Sequence, residues 1–182
     1  MTWRLGQNLL VVNLWNNDGT RNLSEEHLRG LYDRMVRERT LKAVFFDGKV
    51  RSAENFLAFA ASGEIRFYAG YTREEEALEP AGFFWLSDFK GLTAYIHFCL
   101  FRRLWGRASV GLAREILKGL LAAENENKDR YFRCVRAAVP RTNRLALGFI
   151  ERIGFVILGT VPHGAWLAEE GRSVGLVEAY IT

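Results

Sequence analysis

The segment Arg103-Leu104-Trp105-Gly106-Arg107-Ala108 combines two arginines, a glycine and a small residue, and it feeds directly into the most clearly amphipathic stretch of the chain. A tight basic turn at the start of a helix is an anion site. The first helical turn leaves its backbone N–H groups without intrahelical acceptors and carries the positive end of the helix dipole, so a pyrophosphate can accept several hydrogen bonds there. Gly106 permits close approach and Ala108 adds little bulk. The competing account is an ordinary strand-to-helix loop whose arginines are incidental. Residues 98–152 hold twelve Lys and Arg against five Asp and Glu, although the whole chain carries only +4; by itself that excess is explained as simply by a positively charged face, and the motifs must decide.

A second group follows on the next helix and the start of the next strand: Asn143-Arg144-Leu145-Ala146, then Phe149, Arg152 and Gly154-Phe155. The two groups together resemble the signature motifs of the GNAT superfamily of N-acetyltransferases. These are R/Q-x-x-G-x-G/A at Arg103, Gly106 and Ala108, and N-x-x-A ending in G-F at Asn143, Ala146, Gly154 and Phe155. Residue-level matches are confined to about 98–155, whereas the element order agrees over most of the chain.

The resemblance implies acetyl-coenzyme A as cofactor and an amine of a small molecule or protein as acceptor. It implies that two strands, near 92–98 and 132–139, splay apart and that the pantetheine arm lies in the gap, lined by the backbone of Phe98, Cys99 and Leu100. Arg103, Leu104, Trp105, Gly106, Arg107, Ala108 and Ser109 would hold the pyrophosphate. Asn143, Ala146, Phe149 and Arg152 would contact the arm and the nucleotide end. The implied reaction is direct attack of a neutral amine on the thioester, with an oxyanion that needs a preorganised donor, and the Phe98 backbone N–H is the candidate for it.

The sequence departs from the family where the proton chemistry should be. Many members carry a tyrosine acid seven residues after the motif asparagine, and this chain has Ile150 there. The usual base positions fall on Leu92 and Ala94. His97 is the titratable candidate for the base, with Tyr95 beside it. Strand alternation places 95 and 97 on the face opposite Leu92 and Ala94, so a packed, hydrogen-bonded histidine is the competing account. Cys99 as nucleophile lacks a histidine–carboxylate partnership, and a buried thiol is expected instead. His163, Glu178 and Tyr180 are reserve candidates on the last strands. Trp105 packs beside the adenine or caps the helix start.

These residues need a scaffold of alternating elements. Leu9 to Trp15 reads as a strand closed by the turn chemistry of Asn16 to Gly19. Ser24 opens a helix running to about Arg39, and Ser52 to Ala61 reads as a second helix. Strands are expected at Ile65 to Tyr71, Ala81 to Leu86 and Leu92 to Phe98, with loops at Thr72 to Pro80 and Ser87 to Gly91. A helix from Arg107 to about Ala123 comes next, with Ala113, Ile116, Leu117, Leu120 and Leu121 as its apolar stripe. Phe132 to Val139 is a strand, and Thr142 is placed to cap a helix from Asn143 to Ile153. Strands near Phe155 to Val161 and Val174 to Ile181 end the chain. The expected fold is mixed α/β: a mostly antiparallel sheet of about seven strands, helices on both faces, and one parallel strand-helix-strand crossover at the cofactor site.

With 182 residues, 49% of them apolar, one domain over 1–182 is expected. Two cysteines, Cys99 and Cys134, neither build a disulfide framework nor have zinc spacing, so no metal site is expected. The absence of a charged leader with a long apolar stretch points to a cytoplasmic protein without a membrane partner. Nucleic-acid binding is disfavoured, because no recognition helix or aromatic platform accompanies the arginines. The remaining alternative to an enzyme is a degenerate, non-catalytic coenzyme A-binding module.

Overall fold

The computed structural model describes residues 2–5, 9–13, 22–74 and 77–182. Two N-terminal strands, β1 (Thr2–Leu5) and β2 (Leu9–Asn13), precede helices α1 (Glu25–Glu38), α2 (Leu41–Val44) and α3 (Ala53–Ala60). The strands β3 (Arg66–Glu74), β4 (Ala77–Lys90) and β5 (Thr93–Leu100) form a meander. Helix α4 (Arg107–Ala122) crosses to β6 (Cys134–Pro140), and α5 (Arg144–Ile153) leads to β7 (Val156–Leu167) and β8 (Arg172–Ile181). The eight strands lie in the order β1-β2-β3-β4-β5-β6-β8-β7. All neighbours are antiparallel except β5 and β6. This is the expected mixed sheet, with β1 added at one edge. Trp15 and the Asn16 to Gly19 turn lie outside the described residues.

Helix starts follow from their caps. The Ser24 hydroxyl accepts from the His27 N–H and the Ser52 hydroxyl from the Asn55 N–H, each offsetting one orphan donor of the first turn. For α5 the cap is Asn143, not Thr142: Asn143 Oδ1 accepts from the Ala146 N–H at 3.1 Å. Gly154, at φ 110°, ends that helix in a backbone conformation that side chains resist.

The stretches 72–74 and 77–80, expected as part of a loop from Thr72 to Pro80, are paired strand. Thr72 opposes Glu79 and Glu74 opposes Ala77. Pro80 is tolerated because it sits at a register shift beside Tyr71, where a ladder hydrogen bond is already lost. The four-residue α2 also falls outside the sequence reading, since one turn carries no periodicity.

Each face of the sheet has its own core. Ala94, Ile96, Val135, Ala137 and Ala179 pack with Ala113, Ile116, Leu117 and Leu120 of α4 and with Ile150 and Ile153 of α5. On the other face Phe67, Phe83, Trp85 and Cys99 meet Leu28, Leu31 and Met35 of α1 and Phe56 of α3. Even-numbered residues of β5 therefore face α4 and α5, and odd-numbered ones face the α1–α3 layer. Among the described residues no helix is long and apolar enough to cross a membrane.

Candidate active site

The parallel pairing of β5 with β6 is brief. It joins Thr93 to Cys134, Ala94 to Val135 and Tyr95 to Arg136, and then stops. Each strand continues with its other neighbour: β5 stays on β4 as far as Leu100 opposite Gly82, and β6 stays on β8 as far as Pro140 opposite Leu176. Residues 96–100 and 137–140 therefore border a gap with its apex at Tyr95 and Arg136. The Phe101 N–H bonds to the Ala81 carbonyl at 3.1 Å, which makes the neighbouring pair Leu100–Gly82 a non-hydrogen-bonded one. By alternation, Leu100, Phe98 and Ile96 turn their N–H and C=O groups away from β4 and into the gap. Phe98 and Leu100 thus present backbone groups there. Cys99 does not: its carbonyl lies against Gly82, and its buried side chain faces the α1–α3 layer. Burial pushes that thiol up to about 12, so it is no nucleophile at neutral pH.

At the open end of the gap the chain makes a 3-10 turn, Arg102–Leu104, and Gly106 at φ 105° starts α4 without any side-chain cap. The helix has no acidic residue in its first turn. The N–H groups of Arg107, Ala108 and Ser109 therefore lack intrahelical acceptors, and the exposed Gly106 and Ala108 leave the approach open. The Ser109 hydroxyl donates to the Gly106 carbonyl at 2.8 Å, fixing the turn.

The arginines divide their work differently from the sequence reading. Arg103 binds protein: one guanidinium nitrogen donates to the Thr72 hydroxyl at 2.6 Å and to the Glu79 and Pro80 carbonyls at 3.1 and 3.3 Å. Arg102 is likewise committed, its N–H to Glu38 Oε2 at 2.7 Å and its Nε to the Glu38 carbonyl at 2.9 Å. Arg107 stands exposed at the first helical position. Arg103 thus braces the loop, and the bare helix terminus is left as the candidate anion site. Trp105 bends back toward the gap, where its indole N–H donates to the Leu100 carbonyl at 2.8 Å beneath the Arg102 guanidinium. The Leu104 side chain is partly buried.

Helix α5 walls the α4 side of the gap. Phe149 meets Phe98 edge-to-face with ring centroids 5.9 Å apart, and Ala146 packs against the same core. The Asn143 carbonyl oxygen serves the cap. Arg152 Nε donates to the Gly148 carbonyl at 2.8 Å, while its own carbonyl accepts from Arg114, which ties α4 to α5. Ile150, the position where the sequence resemblance led to the expectation of a tyrosine acid, is buried in the core. Leu92 sits exposed in the turn between β4 and β5, and Ala94 is buried under α4.

The opposite face at the apex holds the polar groups. His97 lies in an aromatic stack rather than in the gap: its ring is parallel to Trp85 at 4.6 Å, and Trp85 is parallel to Phe45 at 5.4 Å. Burial lowers its pKa to about 4, outweighing the nearby carboxylates of Asp88 and Asp47, and its Nε2 pairs with the Ser87 hydroxyl at 3.1 Å. That is the packed histidine that strand alternation favours.

A cluster that sequence order conceals spans β5, β6 and β8. The Tyr95 hydroxyl donates to Glu178 Oε2 at 2.8 Å, Arg136 donates to the same oxygen at 2.9 Å, and the Arg136 guanidinium lies 4.6 Å from the Tyr95 ring centre. Burial and the Glu178 hydrogen bond push Tyr95 up to about 12, which keeps it protonated. His163 is remote from this group and pairs with the Ser173 hydroxyl at 2.9 Å.

A cavity of about 900 Å³ opens between the end of α1, α2 and the β7–β8 turn, lined by Arg39, Lys42, Phe45, Arg51, Leu167 and Glu169. The Ala168 N–H bonds to the Phe46 carbonyl at 2.9 Å, and Lys42 pairs with Glu169, so this hairpin is tied to the helical layer. Among the described residues there is no His, Cys, Asp and Glu group that could hold a metal ion.

No protein-family model matches the sequence, and no curated protein matches it. Solved structures do resemble it. An acetyltransferase from Salmonella typhimurium that modifies the N-terminal serine of a 50S ribosomal subunit protein superposes with a TM-score of 0.77 at 15% identity, over 100% of this chain and 98% of that one. A microcin self-immunity acetyltransferase in complex with acetyl-CoA and AMP gives a TM-score of 0.71 at 12% identity, over 98% of this chain and 94% of that one. Spermidine N-acetyltransferase from Vibrio cholerae, in complex with CoA and spermine, gives 0.66 at 15% identity, over 94% of each chain. With the splayed parallel pair, the uncapped α4 and these superpositions in agreement, the chain has the fold of the GNAT acetyltransferases.

Proposed function

We propose that this chain is an acetyl-CoA-dependent N-acetyltransferase that acts on an amine of a small molecule or protein. The observation that carries the reading is the gap whose open end meets the bare N-terminus of α4: a slot lined with backbone that has no strand partner, beside a helix terminus without a side-chain cap. Such a pair of features suits a long, amide-bearing ligand that ends in a pyrophosphate. When bound, acetyl-CoA supplies an activated acyl thioester.

In this reading the N–H groups of Arg107, Ala108 and Ser109 hold the pyrophosphate, with Gly106 giving access and Arg103 and Leu104 shaping the turn. Backbone groups of Phe98 and Leu100 pair with the amides of the arm, and Phe149 and Ala146 pack along it. Asn143 and Arg152 are assigned in this reading to the arm and the nucleotide end. The Phe98 N–H polarises the acyl carbonyl, because it points into the gap three residues beyond the apex. The acceptor approaches from the opposite face, between the α1–α3 layer and the β7–β8 hairpin.

The neighbours that act on a protein N-terminus and on a polyamine share this layout, which supports an amine acceptor without selecting one. The buried Ile150 supports the second reading, a coenzyme A-binding module without transfer activity. Calorimetric titration with acetyl-CoA and free CoA tests the shared premise. Micromolar binding supports the cofactor site, and absence of binding refutes both readings. Amine-stimulated release of the CoA thiol then separates enzyme from module.

A further inference from the structure

The reaction needs a group that takes a proton from the incoming ammonium, and the family's usual positions for it carry Leu92 and Ala94. His97 is stacked on Trp85 with its Nε2 engaged by Ser87. Glu178 is placed differently. Among the described residues it is the carboxylate that bonds to both strands bordering the gap, through Tyr95 of β5 and Arg136 of β6, the last pair before those strands part. Both bonds go to Oε2, so the carboxylate is anchored by one oxygen, and Oε1 carries no hydrogen bond from the described residues. The side chain keeps 17% of its surface exposed, on a face of β6 and β8 that contributes no residue to the core beneath α1–α3 among the described residues. Arg136 and the Tyr95 hydroxyl offset the cost of half-burying an anion while leaving one lone-pair edge open.

Resting on the acetyltransferase reading, we propose that Glu178 is the general base: its Oε1 receives the acceptor ammonium at the apex of the β5–β6 gap and takes one proton from it. The neutral amine then attacks the acyl carbonyl, forming the C–N bond as the C–S bond breaks. The second proton on nitrogen passes to the departing thiolate, and Glu178 returns its own to water, so each turnover yields amide, thiol and one free proton. Tyr95 and Arg136 are positioning residues, and the acceptor is a cationic primary amine whose nitrogen reaches an anionic, half-buried spot.

The test uses the full chain with acetyl-CoA and a panel of spermidine and peptides beginning with serine or alanine, reading amine-stimulated thiol release. Glu178→Gln keeps the shape and can still accept from Tyr95 and Arg136. It is expected to lower kcat at least about a hundredfold, the usual scale for loss of a positioned base, with CoA affinity unchanged. Glu178→Ala is expected to regain part of its rate on addition of formate, a rescue that a merely structural role would not give, and Glu178→Asp is expected to fall between wild type and Gln. Full activity in Glu178→Gln, absence of formate rescue, or a wild type that binds CoA yet turns over no member of the panel overturns the assignment. A wild type that does not bind CoA instead overturns the acetyltransferase reading beneath it.

Discussion

Substituting Gly106 by Asn or by Asp separates backbone strain from charge at the candidate anion site. Gly106 holds φ 105° and ψ −141°, and a Cβ added there meets nothing within 4 Å, so the cost of either substitution is conformational rather than steric. Residues forced into such a region cost about 1–3 kcal/mol each, and Asn and Asp share that cost because they share a shape. They differ by one negative charge at the head of a helix that has no acid in its first turn.

A phosphate bound by the Arg107, Ala108 and Ser109 N–H groups would lie about 5 Å from that carboxylate. Between surface-protein and bulk-water screening this corresponds to a repulsion of about 1–3 kcal/mol. Isothermal titration should therefore show CoA binding to Gly106→Asp about 5- to 150-fold weaker than to Gly106→Asn, and the gap should narrow at high salt. Melting temperatures of the two should agree or favour Asp, since a carboxylate suits a helix N-cap in the absence of ligand. Equal CoA affinity for the pair would refute the assignment of the pyrophosphate to this terminus.

Other expectations follow from single contacts. Trp105→Phe removes the donor that occupies the Leu100 carbonyl in the gap. Stability should fall by about 1 kcal/mol while CoA affinity rises a few-fold in calorimetry, and weaker binding would show that the indole helps the ligand instead. His97 has its pKa lowered to about 4, so the folded form binds fewer protons than the unfolded form between about 6.5 and 4. Its contribution is complete above the unfolded value and is lost as pH falls through that window, by roughly 3 kcal/mol at most. Denaturant melts should show wild type losing stability relative to His97→Phe by that amount as pH falls from about 6.5 to 4, and a pH-independent difference would refute it. Phe56 is fully buried among Phe45, Phe67 and Phe83, and Phe56→Ala should cost about 3–5 kcal/mol in the same assay.

The parts legible in the sequence were those whose causes are local. Ser24, Ser52 and Gly154 mark helix ends because caps act over three or four residues, and the stripe of α4 shows its buried face. Gly106 was legible for the same reason. The role of Arg103 was not, because its acceptors on Thr72, Glu79 and Pro80 lie more than twenty residues away and are created by the β3–β4 hairpin. The choice of Asn143 over Thr142 as cap turns on one residue of register. Tyr95, Arg136 and Glu178 carry no shared pattern. They meet only because β8 enters the sheet between β6 and β7, which places Glu178 opposite Ala138 on the face that Arg136 shares.

That insertion of β8 also explains why the gap exists before any ligand arrives. A parallel pair alone in a sheet would be expected to keep its ladder, since each unpaired backbone group in a dry interior costs free energy. Here β5 is held to Leu100 by β4, and β6 is held to Pro140 by β8, so each strand follows the twist of its antiparallel partner. The ladder between them survives only where the two paths coincide, from Thr93 and Cys134 to Tyr95 and Arg136. Beyond that point Ile96, Phe98 and Leu100 direct peptide groups into a slot that a second amide-bearing chain would satisfy. Trp105 already satisfies one of them, at Leu100. The antiparallel ladders on both sides thus supply the energy that keeps the slot open, and a ligand entering it gains hydrogen bonds without first breaking a strand pair.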